Sequence, residues 1–306
     1  MADNLRCDGR TCSELRPFSL QLNLIPSANG SAQVRLADTC VLAVVKAEIG
    51  APLPDDGAAG ERLGRFVIAV DLTANPTGAL DRRAAEAASV TLTAQVSRIL
   101  VESGALRREL LCLIPGKKCW VISIDAVVLS AAGNVLDATL IAVKAALKST
   151  LIPAVTVVRR APADAETTAT AAAGRASDDV TLEVSDDPAE AHALAAWDPR
   201  VPLTVTVSRA GATAFVDPDQ SEEACVTARV SVAFNDKGKM LGTFKLGEGA
   251  LAPESVRGMV RLAAQVAQRL RGQFDAAFDE ALVAAGGEAA GEDGGAGKDE
   301  GNDDGY

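Results

Sequence analysis

The stretch SAAGNVLDATLIAVKAAL, residues 130–147, sets a glycine turn at Gly133 directly before a run whose apolar residues recur at helical spacing. The first N–H groups of a helix lack intrahelical partners, so a chain that enters a helix through glycine is well made to hold an anion. This stretch lacks the cation that a phosphate needs. No Lys or Arg stands between Gly133 and Val143, and Asp137 lies in the first turn. The residues instead predict a capped helix. Asn134 serves as N-cap, Asp137 reaches back as in a capping box, and its charge takes the positive end of the helix dipole. On this reading the turn keeps the backbone of a phosphate site and has lost its charge.

Strand signals precede this helix. SLQLNLI and SAQVRLA flank a turn at Asn29-Gly30, CVLAVVKAEI follows Asp38-Thr39, and RFVIAVDL comes after a Gly/Pro/Asp-rich loop. A helix is predicted where Ala88, Leu92, Val96, Ile99 and Leu100 recur on one face. ELLCLI and CWVISIDAVVLS, joined by Pro115-Gly116, read as two further strands. Residues 161–176 are rich in Ala, Thr and Asp and predict a flexible insertion. Strands resume at VTLEV, VPLTVTVSRA, ATAFVD, CVTARVSVAF and KMLGTFKL. A helix from about Pro253 to Ala284 closes the body, with Val256, Val260, Leu262, Ala263, Val266 and Leu270 on one side. Both halves thus run strands into a packed helix, a two-domain α+β plan. The boundaries are a first domain at 1–160, an acidic insertion and linker at 161–197, a second domain at 198–286 and a disordered acidic tail at 287–306.

Composition narrows the classes. Among 306 residues, 48% are hydrophobic but 3% aromatic, so the core is aliphatic and stacking platforms for single-stranded nucleic acid are scattered rather than clustered. Apolar runs such as VVLSAA are too short to span a bilayer, and the opening MADNLRCDGR predicts no secretory leader. The net charge of −11 is concentrated in two segments: seven acids against one lysine in 287–306, and eight acids against one arginine in 161–192. The remainder carries a slight basic excess, which leaves a nucleic-acid partner open. Six cysteines, at 7, 12, 40, 112, 119 and 225, match no zinc spacing and read as structural thiols of a reducing compartment. The single histidine, His192, reads as a surface residue beside the acidic insertion.

Several motifs recur together in one order. They are Asp8-Gly9-Arg10 with Glu14 and Arg16, Ala28-Asn29-Gly30-Ser31-Ala32 with Val34-Arg35-Leu36, and Val45-Lys46-Ala47-Glu48-Ile49-Gly50. Pro115-Gly116-Lys117 with Cys119-Trp120, then Gly133-Asn134 with Leu136-Asp137-Ala138 and Ala142 to Leu147, continue the series. In the second half stand Ser185-Asp186-Asp187-Pro188, Val201-Pro202, Glu222-Glu223-Ala224-Cys225 and Pro253-Glu254-Ser255. Through these the chain resembles the RNase PH-type ring subunits of the RNA exosome, and within that group the forty-two type, from about Leu5 to Leu282. The resemblance implies two βαβα ribosomal-protein-like domains, the RNase PH fold. It also implies a pseudo-hexameric ring of homologous subunits around a channel for single-stranded RNA, topped by cap proteins, and a distribution over nucleus, nucleolus and cytoplasm.

Active members of the family phosphorolyse RNA from its 3′ end, holding phosphate with a Gly-Ser/Thr-Arg turn and using an aspartate that follows an alanine in the second domain. This chain has Gly133-Asn134-Val135 at the first place and Ala228-Arg229 at the second. Val135 donates nothing to an anion, and Arg229 reverses the charge of the acid. Because phosphoryl transfer depends on positioning and charge stabilisation, the two losses imply a non-catalytic ring subunit. The alternative is a phosphate-dependent 3′–5′ exoribonuclease, active alone or in a composite site with a neighbour. No cofactor or metal is implied. Arg82 and Arg83 are candidates for RNA backbone contact or form a solvated first turn, although cations there oppose the dipole. Lys117 and Lys118 follow the Pro-Gly turn as RNA or neighbour contacts or as surface charges. Arg107 and Arg108 read as exposed near a helix end, and Glu222 and Glu223 as interface or solvated acids.

Overall fold

The computed structural model describes residues 6–52, 63–72, 82–102, 104, 106–159, 180–185, 187, 190–193 and 201–289. The predicted insertion at 161–176 and the tail beyond 289 lie outside the described residues. The first sheet is built from β1 (Phe18–Leu22), β2 (Gly30–Leu36), β3 (Thr39–Gly50) and β4 (Arg65–Asp71), with β5 (Cys112–Ile114) and β6 (Lys118–Ser130). Helix α1 (Arg82–Ser97) continues as a wider π-turn over Arg98–Glu102, and α2 (Val135–Ser149) follows β6. The strand order is β1-β2-β3-β6-β4, with β5 hairpinned onto β6; β4 runs parallel to β6, and the pairs β1/β2, β2/β3 and β3/β6 are antiparallel.

Alternation places one face of this sheet in the core: Ala32, Val34 and Leu36 of β2, Val41, Ala43 and Val45 of β3, and Ile122, Ile124, Ala126 and Val128 of β6 are buried. Leu92, Val96, Ile99 and Leu100 of the first helical segment join the same core, as its spacing predicts. The chain ELLCLI departs from expectation. Arg108–Leu111 forms a 3₁₀ turn because Gly64 lies against it, receiving the Arg108 side chain on its carbonyl at 2.9 Å and packing where any Cβ would meet Leu111 Cβ at 2.2 Å. Arg108 is therefore half-buried rather than exposed, and strand begins only at Cys112.

Asn29-Gly30 is likewise not a tight hairpin turn, since seven residues separate β1 from β2. Asn29 instead joins three elements. Its side-chain oxygen accepts from Ala47 N at 2.8 Å, its amide donates to Leu151 O at 3.1 Å, and its carbonyl accepts from Leu151 N at 2.9 Å. Gly30 lets the C-terminal end of α2 approach, for a Cβ there would lie 2.3 Å from Thr150 Oγ1 and 2.7 Å from Ala146 O.

The chain then forms β7 (Leu151–Ile152), β8 (Val155–Arg159), β9 (Val180–Val184) and β10 (His192–Ala193); β9 pairs with β8 and β10 with β7, both antiparallel. His192 is exposed in β10. The second sheet comprises β11 (Leu203–Ala210), β12 (Thr213–Val216), β13 (Ala228–Phe234) and β14 (Met240–Leu246) in the order β12-β11-β13-β14, with the short helix α3 (Gln220–Glu223) between β12 and β13. On one face, Leu203, Val205, Val207, Val230, Val232 and Phe234 enter the core. On the other, Thr204, Thr206, Ser208, Arg229 and Ser231 form a polar set.

Helix α4 (Pro253–Ala289) packs along β11 and β13 and also meets β1. Its buried line is Met259, Ala263, Val266, Ala267, Leu270, Phe274 and Phe278, whereas Val256, Val260 and Leu262 are half-buried, so the predicted stripe is rotated toward the aromatic residues. Lys144 of α2 reaches this half: its ammonium donates to Val201 O at 2.8 Å, pairs with Asp236 and lies 5.5 Å from the Phe274 ring centroid. Burial pulls its pKa down against the opposing pull of Asp236.

The contact at Gly30 yields the first prediction. Gly30→Ala overpacks the α2 terminus against backbone that cannot move aside and lowers unfolding free energy by about 1–3 kcal/mol in urea titration.

Candidate functional site

Gly133 turns with φ +97°, a conformation glycine adopts without strain, and a Cβ there would lie 2.4 Å from Pro218 O and 2.7 Å from Asp219 C. The turn before α2 is therefore pressed against the loop that follows β12. That loop carries Asp217, fully buried at φ 49°. Left-handed backbone is unfavourable for most side chains but accessible to Asp.

Asp217 collects donors from the N-terminal segment and from the turn before α2. Arg16 donates through its backbone N at 2.7 Å, Nε at 2.9 Å and Nη2 at 2.8 Å; Asn134 Nδ2 donates at 2.9 Å and Arg10 Nη1 at 3.1 Å. Burial by itself would raise the pKa of this carboxyl, but the Arg16 contacts and Asn134 hold it below the usual carboxylate range. Arg16 also donates to Ala132 O at 2.9 Å and Gly133 O at 3.1 Å, which fixes the turn itself.

Arg6 makes a parallel connection. It donates to Val216 O and Asp217 O, each at 2.8 Å, and its buried guanidinium pairs with Glu222. Glu222 in turn completes a capping box with Asp219, which accepts from Glu222 N at 2.7 Å. The capping box predicted at α2 is thus found at α3. Glu222 is buried and paired, not a solvated or interface acid.

At α2 the predicted cap does not form. Asn134 is at φ 51°, makes no side-chain cap hydrogen bond, and gives its amide to Asp217. Asp137 turns toward β11, where it accepts from Thr204 Oγ1 at 2.9 Å, Thr206 N at 2.8 Å and Thr206 Oγ1 at 2.8 Å. The stretch of β11 before Val207 has no partner on the β12 side, so the carboxylate satisfies a backbone N–H that the ladder leaves over. Burial raises Asp137 to about 6, with the Thr206, Thr204 and Asn134 hydrogen bonds opposing the rise.

The N-terminus of α2 is served by a different acid. Glu223 Oε1 accepts from Asn134 N at 3.1 Å and from Arg229 Nη1 at 2.9 Å. The structure therefore brings the turn at 133–135 and Arg229 of β13 together around Glu223. Val135 is the first residue of α2, half-buried, and supplies no donor side chain. An internal carboxylate, itself neutralised by Arg229, stands where the backbone would receive an anion. Sequence reasoning quoted Glu223 in its acid pair and missed this role, which depends on a fold that closes 89 residues of chain.

The four cationic candidates lie outside this cluster. Leu72 N donates to Ser89 Oγ and Val70 N to Thr93 Oγ1, each at 2.9 Å, so α1 runs antiparallel to β4. Arg82 and Arg83, exposed at its start, therefore stand at the end of the sheet where β6 leads into α2. Arg82 pairs with Glu86 at 3.2 Å on the open surface, a contact of little energetic weight. Lys117 and Lys118 are exposed on the β5–β6 hairpin at the opposite end. Among the described residues no group of His, Cys, Asp and Glu is placed to hold a metal ion.

Two outcomes follow from these carboxylates. Asp217→Asn leaves Arg16 buried without its counter-ion and costs about 3–5 kcal/mol of stability, measured by denaturant unfolding. For Asp137 the folded pKa of about 6 lies above the ordinary 3.8, so the native state holds a proton that the unfolded chain releases, and this contribution to stability declines as pH rises from about 4 through about 6. Asp137→Asn removes that decline: the stability difference between wild type and variant is expected to shift against wild type over this range and to be flat above it.

The family profile described as 3′ exoribonuclease family, domain 1 matches residues 14–153, and that for domain 2 matches 200–266. The exosome complex component Rrp42 of Sulfurisphaera tokodaii is 32% identical over 87% of this chain and 87% of its own length; that of Methanocella arvoryzae is 30% identical over 88% and 90%. Among solved structures, an Archaeoglobus fulgidus exosome with RNA bound to the active site contains a chain similar at 26% identity and a TM-score of 0.66, covering 89% of this chain and 94% of that one. The two sheets, each with its packed helices, are thus the two RNase PH domains, and this chain belongs to the RNase PH family of 3′ exoribonucleases and their exosome-subunit relatives.

Proposed function

We propose that the chain is a non-catalytic ring subunit of an exosome, of the forty-two type, which supports 3′–5′ RNA processing and degradation by the assembled complex. The observation that carries the reading is Glu223. Its carboxylate accepts from the first N–H at the α2 terminus and is held there by Arg229. Phosphorolysis needs an inorganic phosphate at such a terminus and cations on the developing charge. Here the Glu223 carboxylate already takes that N–H, Val135 donates nothing, and Arg229 pairs with Glu223 rather than with a substrate.

In this reading the partners are homologous RNase PH-like ring subunits and cap proteins, with single-stranded RNA passing through the channel they form. The archaeal relatives are named as exosome components, and this chain spans nearly their whole length, which supports the assembly. No helix among the described residues is long and apolar enough to cross a membrane. Arg82 and Arg83, exposed at the α2 end of the sheet, are positioned to touch RNA backbone without reading sequence. The proposal includes a nuclear, nucleolar and cytoplasmic distribution, supported by the family resemblance at Glu222 to Cys225 and by the acidic composition of 287–306.

Two measurements test it. The purified, folded chain given 3′-single-stranded RNA and inorganic phosphate is expected to release no nucleoside diphosphate. Affinity purification of the tagged chain from its host, with mass spectrometry of what accompanies it, is expected to recover several RNase PH-like proteins in equal amount. Phosphate-dependent release by the chain alone, or recovery as a solitary protein, contradicts the proposal.

A further inference from the structure

The β5–β6 hairpin carries two cysteines that the sequence treats as unrelated structural thiols. In the ladder Cys112 is the direct partner of Cys119, with the register shifting between Cys112 and Ile114, across a turn over Pro115, Gly116 and Lys117 in which Gly116 has φ 72°. Directly opposed residues of an antiparallel pair have Cα atoms about 4.5–5.5 Å apart. That separation lies within the range a disulfide spans, about 4.4–6.8 Å. The two thiols also act on each other electrostatically, Cys112 being among the groups that raise the pKa of Cys119 after burial itself. Both cysteines are in the thiol form.

Their exposure differs in a way that assigns an order of events. Cys119 is 1% exposed and out of reach of any dissolved reagent, while Cys112 is half-buried. Arg65 and Arg108 bear on Cys119 too, opposing the rise in its pKa that burial and Cys112 produce, so the buried thiol stays protonated while the half-buried Cys112 meets solvent. We propose that Cys112 and Cys119 form an oxidisable dithiol, a modification site at which a low-molecular-weight disulfide such as oxidised glutathione closes the hairpin covalently.

The chemistry balances in two exchanges. The Cys112 thiolate attacks one sulfur of oxidised glutathione, forming a mixed disulfide and expelling one glutathione thiolate, which takes up a proton. Cys119 then gives up its proton and attacks the Cys112 sulfur, expelling the second glutathione. Two protein thiols and one oxidised glutathione become one protein disulfide and two reduced glutathiones. The closed form staples the base of the turn that presents Lys117 and Lys118, beside the end of β3, where Gly50 is also a ladder partner of Cys119. A reducing cytosol reopens it, so the bridge marks oxidising conditions rather than a permanent structure.

The test uses the full chain. It is treated with oxidised glutathione, its remaining thiols are alkylated without reduction, and it is digested with trypsin. Cleavage after Arg108, Lys117 and Lys118 separates Glu109–Lys117 from Cys119–Lys144, so the bridge appears as one linked species that reduction splits into those two peptides. Cys119→Ser is expected to stop at a stable glutathione adduct on Cys112, and Cys112→Ser to leave Cys119 unmodified in the folded chain. The inference is overturned if wild type keeps both thiols alkylatable, or if Cys112 or Cys119 instead pairs with Cys7, Cys12, Cys40 or Cys225. It is equally overturned if Cys119 is glutathionylated in the Cys112→Ser protein, since that removes the assigned order.

Discussion

The structure depends on one buried carboxylate. Asp217 sits at the end of β12 and receives side chains from the N-terminal segment, through Arg10 and Arg16, and from the entrance to α2, through Asn134. A charge in that position is costly unless every lone pair is satisfied, and here five donor contacts satisfy it. The consequence is positional. Arg16 is also bound to the carbonyls of Ala132 and Gly133, so the same guanidinium that neutralises Asp217 holds the turn of the first domain against the loop of the second. Gly133 permits that approach because nothing larger fits.

Helix α2 extends this junction through the molecule. Its N-terminal side is tied to the second domain by Asp137 on Thr204 and Thr206, and its C-terminal part by Lys144 on Val201 and Asp236. Between them the helix is buried from Leu136 to Leu147. At its N-terminus Asn134 N is answered by Glu223 of α3, which pairs in turn with Arg229 of β13. Arg229 holds the Glu223 carboxylate beside the entrance to α2.

Much of this was legible in the sequence. The alternating strands, the α1 periodicity and the enclosed α2 all follow from period and apolarity. So does the family, through the order of short motifs such as Pro115-Gly116-Lys117 and Gly133-Asn134. That Val135 brings no donor side chain to the turn was legible as well, being a single letter of the sequence. What local rules could not supply is which residue answers the turn. Asn134 and Asp137 have the right types and spacing for a capping box, and in an isolated helix they would form one. In the folded chain Asn134 finds Asp217, 83 residues away, and Asp137 finds Thr206, 69 residues away. Buried long-range partners outcompete an exposed local cap because leaving them unmatched costs more than forgoing the cap. Gly30 failed as a turn marker for a similar reason: its small size serves Thr150 and Ala146 rather than a hairpin.

The central claim is that the α2 terminus is occupied from within by Glu223 and Arg229. The most direct measurement is a calorimetric titration of inorganic phosphate into the folded chain, at low ionic strength and near neutral pH. The account predicts no saturable heat, because the Glu223 carboxylate already accepts from Asn134 N and Arg229 is engaged with that carboxylate. Stoichiometric phosphate binding by the folded chain that Glu223→Gln strengthens would contradict it, for the terminus would then be open to an anion and Glu223 would be a mobile neighbour rather than its resident.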